Sequence, residues 1–366
     1  MSESIDRKIA KEDLDNMSLS GLDKNEENRG GSFIQQDNEL LISHSLFKGV
    51  EILSIEEALD KYPEVRELHG SAFGYLDKEF PKDTEGGYFI RVERGKRVEL
   101  PIQACLYLKK KNFKQRVHNI IIIEEGASAH LITGCAASKA TSEAEHLGVS
   151  EFYVKKNGYL NFSMIHSWHK DISVKPISAA IVEESGSFIS NYVSLRPVKD
   201  ISMYPTAILK GSGSRASFNS LILSHPGTIQ DIGSRVVLKS SNTSAEITSR
   251  VVSLGGKVIV RGNLKAEAKD VKAHLECRGL IINECGIIRA VPEIETEFRD
   301  VEISHEAAIG KISREEIEYL CSRGFSHEEA QSIIVRGFMD IEILALPDIL
   351  KREIRELEDK TLQGSL

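Results

Sequence analysis

Two pieces of this sequence recur at a fixed distance, and that periodicity rules out most folds. Ile208-Leu209-Lys210 is followed by Ala216 to Ile222, and Val237-Leu238-Lys239 is followed by Ala245 to Val251. Both pieces repeat at an offset of 29 (237 − 208 and 245 − 216). Ala180-Ile181-Val182 to Phe188 and Val258-Ile259-Val260 to Val271 echo the theme less regularly. A strand–turn–strand unit of this size, stacked many times, is the mark of a β-solenoid. Each unit buries its inward side chains against the units above and below, so no unit is stable alone. A β-sandwich has similar short strands but no such offset.

The flanking pattern agrees. From about Gly87 to Ile288, short β-branched runs such as Asn119-Ile120-Ile121-Ile122-Ile123 alternate with Gly, Ser and Asn turns. Helix signals appear only outside that stretch. Ser54 is placed to cap a helix through Leu59, and Pro63 to open a second one. Ser313-Arg314-Glu315-Glu316 and Ser326-His327-Glu328-Glu329 read as two further helix starts, and Ile341 to Leu357 as a last helix. Residues 1–50 hold ten acids, six bases and few hydrophobes, which reads as a flexible acidic arm. The expected organisation is that arm, a helical segment at 51–86, a β-helix core at 87–300 and a helical domain at 301–366.

Charge and cysteine usage narrow the chemistry. The net charge is −8 and no basic stripe exists, so nucleic acid is a poor partner. No apolar run approaches the roughly 20 residues of a membrane-spanning helix, and the polar N-terminus does not read as a secretory signal. The expectation is a cytoplasmic protein without a membrane. The five cysteines are widely spaced, with no C-x-x-C pair, which argues against a disulfide framework or structural zinc.

Three groups could carry chemistry. Cys277 and Cys285 flank Gly279-Leu280-Ile281-Ile282; a thiolate suits sulfane sulfur and iron–sulfur ligation, while a small buried hydrophobe is the plainer reading. His305-Glu306 opens like a zinc-protease H-E-x-x-H, but position 309 is Ile, which excludes that mechanism. His166 and His169 flank the only Trp at a spacing that does not favour one metal site. No P-loop, Ser-His-Asp arrangement or Rossmann fingerprint is present. A secreted, carbohydrate-active β-helix enzyme would need a signal and clustered groove carboxylates, and neither is seen.

The stretch from Cys277 onward resembles the SufB/SufD family of iron–sulfur cluster assembly scaffolds. The resemblance rests on Ser304-His-Glu-Ala-Ala-Ile-Gly-Lys-Ile312, Tyr319-Leu-Cys-Ser-Arg-Gly324 and Glu329-Ala-Gln-Ser-Ile-Ile-Val-Arg-Gly-Phe338. Gly86-Gly87-Tyr88-Phe89-Ile90 and Glu124-Glu125-Gly126-Ala127 are similar to the family's entry into its β region. The resemblance implies a right-handed parallel β-helix with helical ends, and a scaffold rather than an enzyme. It implies a SufC-type ABC ATPase docked on the C-terminal helices, with Ile317, Leu320, Ile333, Ile334 and Phe338 as contact candidates. It implies that Cys277, Glu306 and His305 accept sulfur and hold transient iron, with Cys285 and His274 as further candidates. The offset of 28 between Cys277 and His305 is similar to the B type, as is Glu306 after His305. A D-like, purely structural subunit is the alternative. The shortened N-terminal part suggests a compact form that pairs with itself, or else with a SufD-like subunit. A sulfur donor protein and apo-protein acceptors complete the implied partners. The sequence itself carries no support for a flavin in the complex.

Overall fold

In a computed structural model, the structure describes residues 9–76, 81–339, 351 and 355. The chain begins with α1 (Lys11–Ser18) and strands β1 (Gly31–Gln36), β2 (Glu39–Ser45) and β3 (Val50–Ser54). Helices α2 (Ile55–Lys61) and α3 (Pro63–Leu68) follow, then β4 (Tyr88–Val92). The body continues through β5 (Ile102–Leu108), β6 (Lys114–Ile123), β7 (Ser128–Ala137), β8 (Ala144–Val154) and β9 (Tyr159–Ser167). Next come β10 (Ile172–Val174), β11 (Ile177–Val182), β12 (Ser187–Ser194), β13 (Asp200–Met203), β14 (Thr206–Leu209) and β15 (Arg215–Ser224). The last strands are β16 (Ile229–Leu238), β17 (Ser244–Ser253), β18 (Lys257–Ala266), β19 (Val271–Ile281), β20 (Ile287–Thr296) and β21 (Val301–Lys311), before helices α4 (Arg314–Ser322) and α5 (His327–Met339).

These strands wind into a parallel β-helix of about eight turns, as the repeat predicts. Sheet A stacks β1, β5, β7, β9, β12, β15, β17, β19 and β21 in parallel, and sheet B forms the opposite wall. The repeat offset of 29 is a physical register. Ile208 lies opposite Val237, and Ala216 opposite Ala245. Along each strand alternate side chains enter the lumen, where they form one continuous core from Phe33 to Cys277. Phe152, Phe162, Phe188 and Phe218 pack successively there, with ring centroids 4.7–5.9 Å apart.

The corners repeat as strictly as the strands. Gly95, Gly126, Asn157, Ser185, Gly213, Asn242 and Asp270 each adopt a left-handed backbone conformation, with φ between 54 and 72°. Their spacings are 31, 31, 28, 28, 29 and 28 (126 − 95 through 270 − 242). Each amide from Gly95 to Asp270 donates to a carbonyl in the next corner, from Glu125 to Asp300. Gly, Asn and Asp tolerate this conformation best, so the turn chemistry of the sequence sets the period.

The two ends differ. At the first, β2 and β3 pair antiparallel with β1 and β4 and close the stack. The capping box of α2 forms between Ser54 and Glu57, and Pro63 sits in the first turn of α3. These helices cover the outside of sheet B, where buried Glu151 accepts from the Gly70 and Ala72 amides. At the second end, β20 and β21 are edge strands and their residues are largely exposed.

Three boundaries differ from the sequence expectation. Residues 9–50 are built into the fold: Ile9, Leu14, Met17 and Leu22 bury against the outside of sheet A, and β1 pairs with β5. Their few hydrophobes suffice because they pack on Cys105, Tyr107 and Ala136 of the β-helix wall. The β-helix runs on to Lys311, so His305 and Glu306 belong to its last strand and not to a helical domain. Ser313 caps α4 by accepting from the Glu315 amide, and not from the Glu316 amide that a capping box would use. Except for Lys351 and Arg355, the expected last helix, Ile341 to Leu357, lies outside the described residues.

Candidate functional site

Cys277 sits on β19, where burial alternates along the strand. Val271, Ala273, Leu275 and Cys277 join the lumen core, and Lys272, His274, Glu276 and Arg278 face outward. The thiol is 3% exposed. Burial, and then the neighbouring Glu276 charge, push its pKa up to about 11.

The register of β21 on β19 places the other candidates. His305 lies opposite Leu275, Glu306 opposite Glu276, and Ala307 opposite Cys277. His305 therefore shares the lumen side with Cys277, two residues along the neighbouring strand. Standard strand spacings put their Cα atoms about 8 Å apart. Leu275 is covered by the turn above it, whereas among the described residues no turn follows over His305, which is exposed.

Glu306 falls on the opposite face. It stands beside Glu276, whose Oε1 is held by Arg278 Nε at 2.5 Å. His274 is on this outer side too, with Nδ1 2.8 Å from Ser304 Oγ. The register thus sets Cys277 and His305 on one side of the wall, and Glu306, Glu276 and His274 on the other, with β21 between the two sets. No group of three His, Cys, Asp or Glu side chains among the described residues converges on a metal-sized point. Cys285 is exposed in the turn after β19, where its amide donates to Asn283 Oδ1 at 3.3 Å.

The lumen is not uniformly apolar. His146 Nδ1 lies 2.8 Å from Gln115 Oε1, and His166 Nδ1 lies 3.1 Å from the Tyr192 hydroxyl. Trp168 stands between the two imidazoles, with centroids 5.2 and 5.6 Å away. Burial keeps both histidines neutral, His146 down to about 4 and His166 well below its ordinary value. His169 is apart from them, 3.1 Å from the Ser138 carbonyl, so the pair flanking Trp168 in sequence is not one site. The available signal was a polar residue at an inward position of a strand, visible only once the register is known.

The C-terminal helices pack back on the outside of sheet A. Val335 and Met339 bury there with Val252 and Leu280, and Arg250 Nη1 donates to the Phe338 carbonyl at 2.8 Å. Ile317 is buried and Phe338 packs partly on the sheet, so both serve the fold first. Leu320, Ile333 and Ile334 are half-buried, and Tyr319 and Phe325 are the exposed apolar groups of this region.

Residues 106–338 match the family model described as "SUF system FeS cluster assembly, SufBD core domain". This chain belongs to the SufBD family. An iron–sulfur cluster assembly SufBD family protein of Archaeoglobus fulgidus is 48% identical over 94% of the chain and 93% of that relative. One from Methanothermobacter thermautotrophicus is 39% identical over 98% of the chain and 90% of its own length. The iron–sulfur cluster assembly protein SufB of Bacillus subtilis is 33% identical over 77% of the chain and 61% of its own length. The SufBD match and the β-helix agree with the family resemblance drawn from the C-terminal motifs. No described helix is long and apolar enough to cross a membrane.

Proposed function

We propose that this chain is the scaffold on which an iron–sulfur cluster is assembled, at the open end of the β-helix. The observation that carries the reading is that Cys277 and His305 share one face at the last turn, where the stack ends uncovered. A thiol and an imidazole offer the soft and borderline ligands that iron and sulfide require. Glu306, on the free side of the same edge strand, supplies a harder oxygen ligand for incoming iron.

Sulfur acceptance follows thiol exchange chemistry. The Cys277 thiolate attacks the outer sulfur of a donor persulfide, a new S–S bond forms on Cys277, and the donor leaves as thiolate. A thiol raised to about 11 is a weak nucleophile at neutral pH. Iron held by His305 would acidify it, since a coordinated thiol is deprotonated outright. Iron therefore precedes or accompanies sulfur.

The ligand set is completed across an interface. A second copy of the chain, or a D-like subunit, meets the β20–β21 edge and brings its own ligands. The surface of α4 and α5, with Leu320, Ile333 and Ile334, receives a SufC-type ATPase that drives opening of this interface. The setting is cytoplasmic, with a separate sulfur donor and apo-protein acceptors. Anaerobic reconstitution tests the assignment. Cys277→Ser should lose at least 80% of bound iron and sulfide while its circular dichroism is unchanged. Normal cluster content in that variant would sink it. The burial of Cys277 favours one rival, a purely structural D-like role, for which reconstitution fails in the parent chain as well.

A further inference from the structure

Cys105 lies far from the open end, on β5, and faces outward beneath residues 9–29. Ile9, Leu14, Met17 and Leu22 lie over it, packed with Tyr107 and Ala136. Its lumen-side counterpart is Cys135 on the adjacent strand β7, where Gly134 pairs with Cys105. Both thiols are at most 1% exposed, but different things cover them: a peptide segment in one case, the whole barrel in the other.

The covering segment is attached in an unusual way. Among the described residues, every backbone–backbone hydrogen bond of residues 9–29 closes within the segment. Its ties to the body use side chains: Asp13 accepts from the Tyr107 hydroxyl and from Lys109 Nζ at 2.7 Å, and Gln103 Oε1 accepts from the Asp23 amide at 2.8 Å. Arg29, at the segment's end, is 0% exposed. Its Nη1 donates to Ser32 Oγ at 2.7 Å, while Nε and Nη2 have no hydrogen-bond partner among the described residues. A buried guanidinium left partly unpaired is costly, and water reaching it offsets that cost.

We propose that residues 9–24 form a strap that lifts as a unit and uncovers Cys105 as a reactive thiol, while Arg29, tied to Ser32 on β1, stays beside it. Closed, the thiol is protected: burial pushes it up to about 12 against the opposing influence of Ser20 and Arg29. Open, the desolvation is relieved and the cation remains, so the thiolate is favoured. The strap therefore makes Cys105 a guarded site for soft electrophiles, separate from Cys277.

Iodoacetamide labelling of the full chain, followed by peptide mass spectrometry, tests this. The thiolate sulfur displaces iodide to form the S–CH2 bond. Cys105 should label at least tenfold faster than Cys135 without denaturant. Met17→Ala, or Leu22→Ala should Met17→Ala not fold, should speed Cys105 labelling at least tenfold and leave Cys135 unchanged. Arg29→Gln should move the midpoint of the Cys105 labelling–pH profile upward. Equal rates for the two thiols, or equal acceleration of both by the strap substitutions, would show that only global unfolding exposes Cys105 and would overturn the proposal. An unmoved pH midpoint in Arg29→Gln would remove the role of the cation.

Discussion

A thiol's position on a pleated strand decides its chemistry here more than its sequence neighbours do. Cys277 and Glu276 are adjacent in sequence yet face opposite sides of the wall, so the carboxylate perturbs the thiol without sharing its surroundings. With the pKa near 11 rather than the ordinary 8.5, the thiolate fraction at pH 7.5 is several hundred-fold lower. Iodoacetamide labelling of Cys277 in the metal-free chain should therefore rise about tenfold per pH unit from 8 to 10. The exposed Cys285 provides the internal comparison in the same digest. A Cys277 profile that levels off below pH 9 would contradict the buried environment. Added ferrous iron should shift the profile down, because coordination favours the charged form.

The corner column is the clearest device at the level of elements. Six of its seven members are Gly, Asn or Asp, and the exception is Ser185 with φ of 54°. A left-handed backbone costs a side-chain-bearing residue roughly 1–2 kcal/mol, less whatever its own hydrogen bonds return. Ser185→Gly should thus raise stability by about 0.5–1 kcal/mol, the entropy of glycine offsetting part of the relief. Urea titration would show this as a higher midpoint at an unchanged slope. Helix α5 illustrates the opposite case, where packing overrides a sequence pattern. The apolar stripe Ala330, Ile333, Ile334 and Phe338 leaves out Val335 and Met339, yet those two, spaced i and i+4, bury against sheet A. Val335→Ala should cost about 1–2 kcal/mol and loosen the C-terminal helices before the β-helix, as read by hydrogen exchange.

The whole molecule is a stack closed at one end and open at the other. Antiparallel strands seal the first turn, while among the described residues β20 and β21 pair on one side only, with Ile287, Ile294, Phe298 and Ile309 exposed around them. Exposed edges of this kind recruit another strand unless they are blocked. In the assembly proposed above, the sealed first end limits association through this edge to two copies rather than a growing fibre. Light scattering of the chain should give a dimer, and Ile309→Lys should give a monomer with reduced cluster yield. A monomer in the parent chain that still binds iron and sulfide would place the whole ligand set in one subunit.

The repeat offset, the turn residues and the C-terminal motifs made the β-helix, its helical ends and the SufBD family legible from the chain alone. That follows from physics acting locally: strand alternation, left-handed corners and helix caps each depend on a few neighbouring residues. The sides on which Cys277, His305 and Glu306 fall were not legible, because a shift of one residue in pairing register exchanges the two faces of a strand. Burial of the N-terminal segment was equally hidden, since its sparse hydrophobes suffice only against a wall formed elsewhere in the chain. Register and burial come from contacts between residues far apart in sequence, and so the stacked turns alone determined which thiol lies at the open end and which lies under the strap.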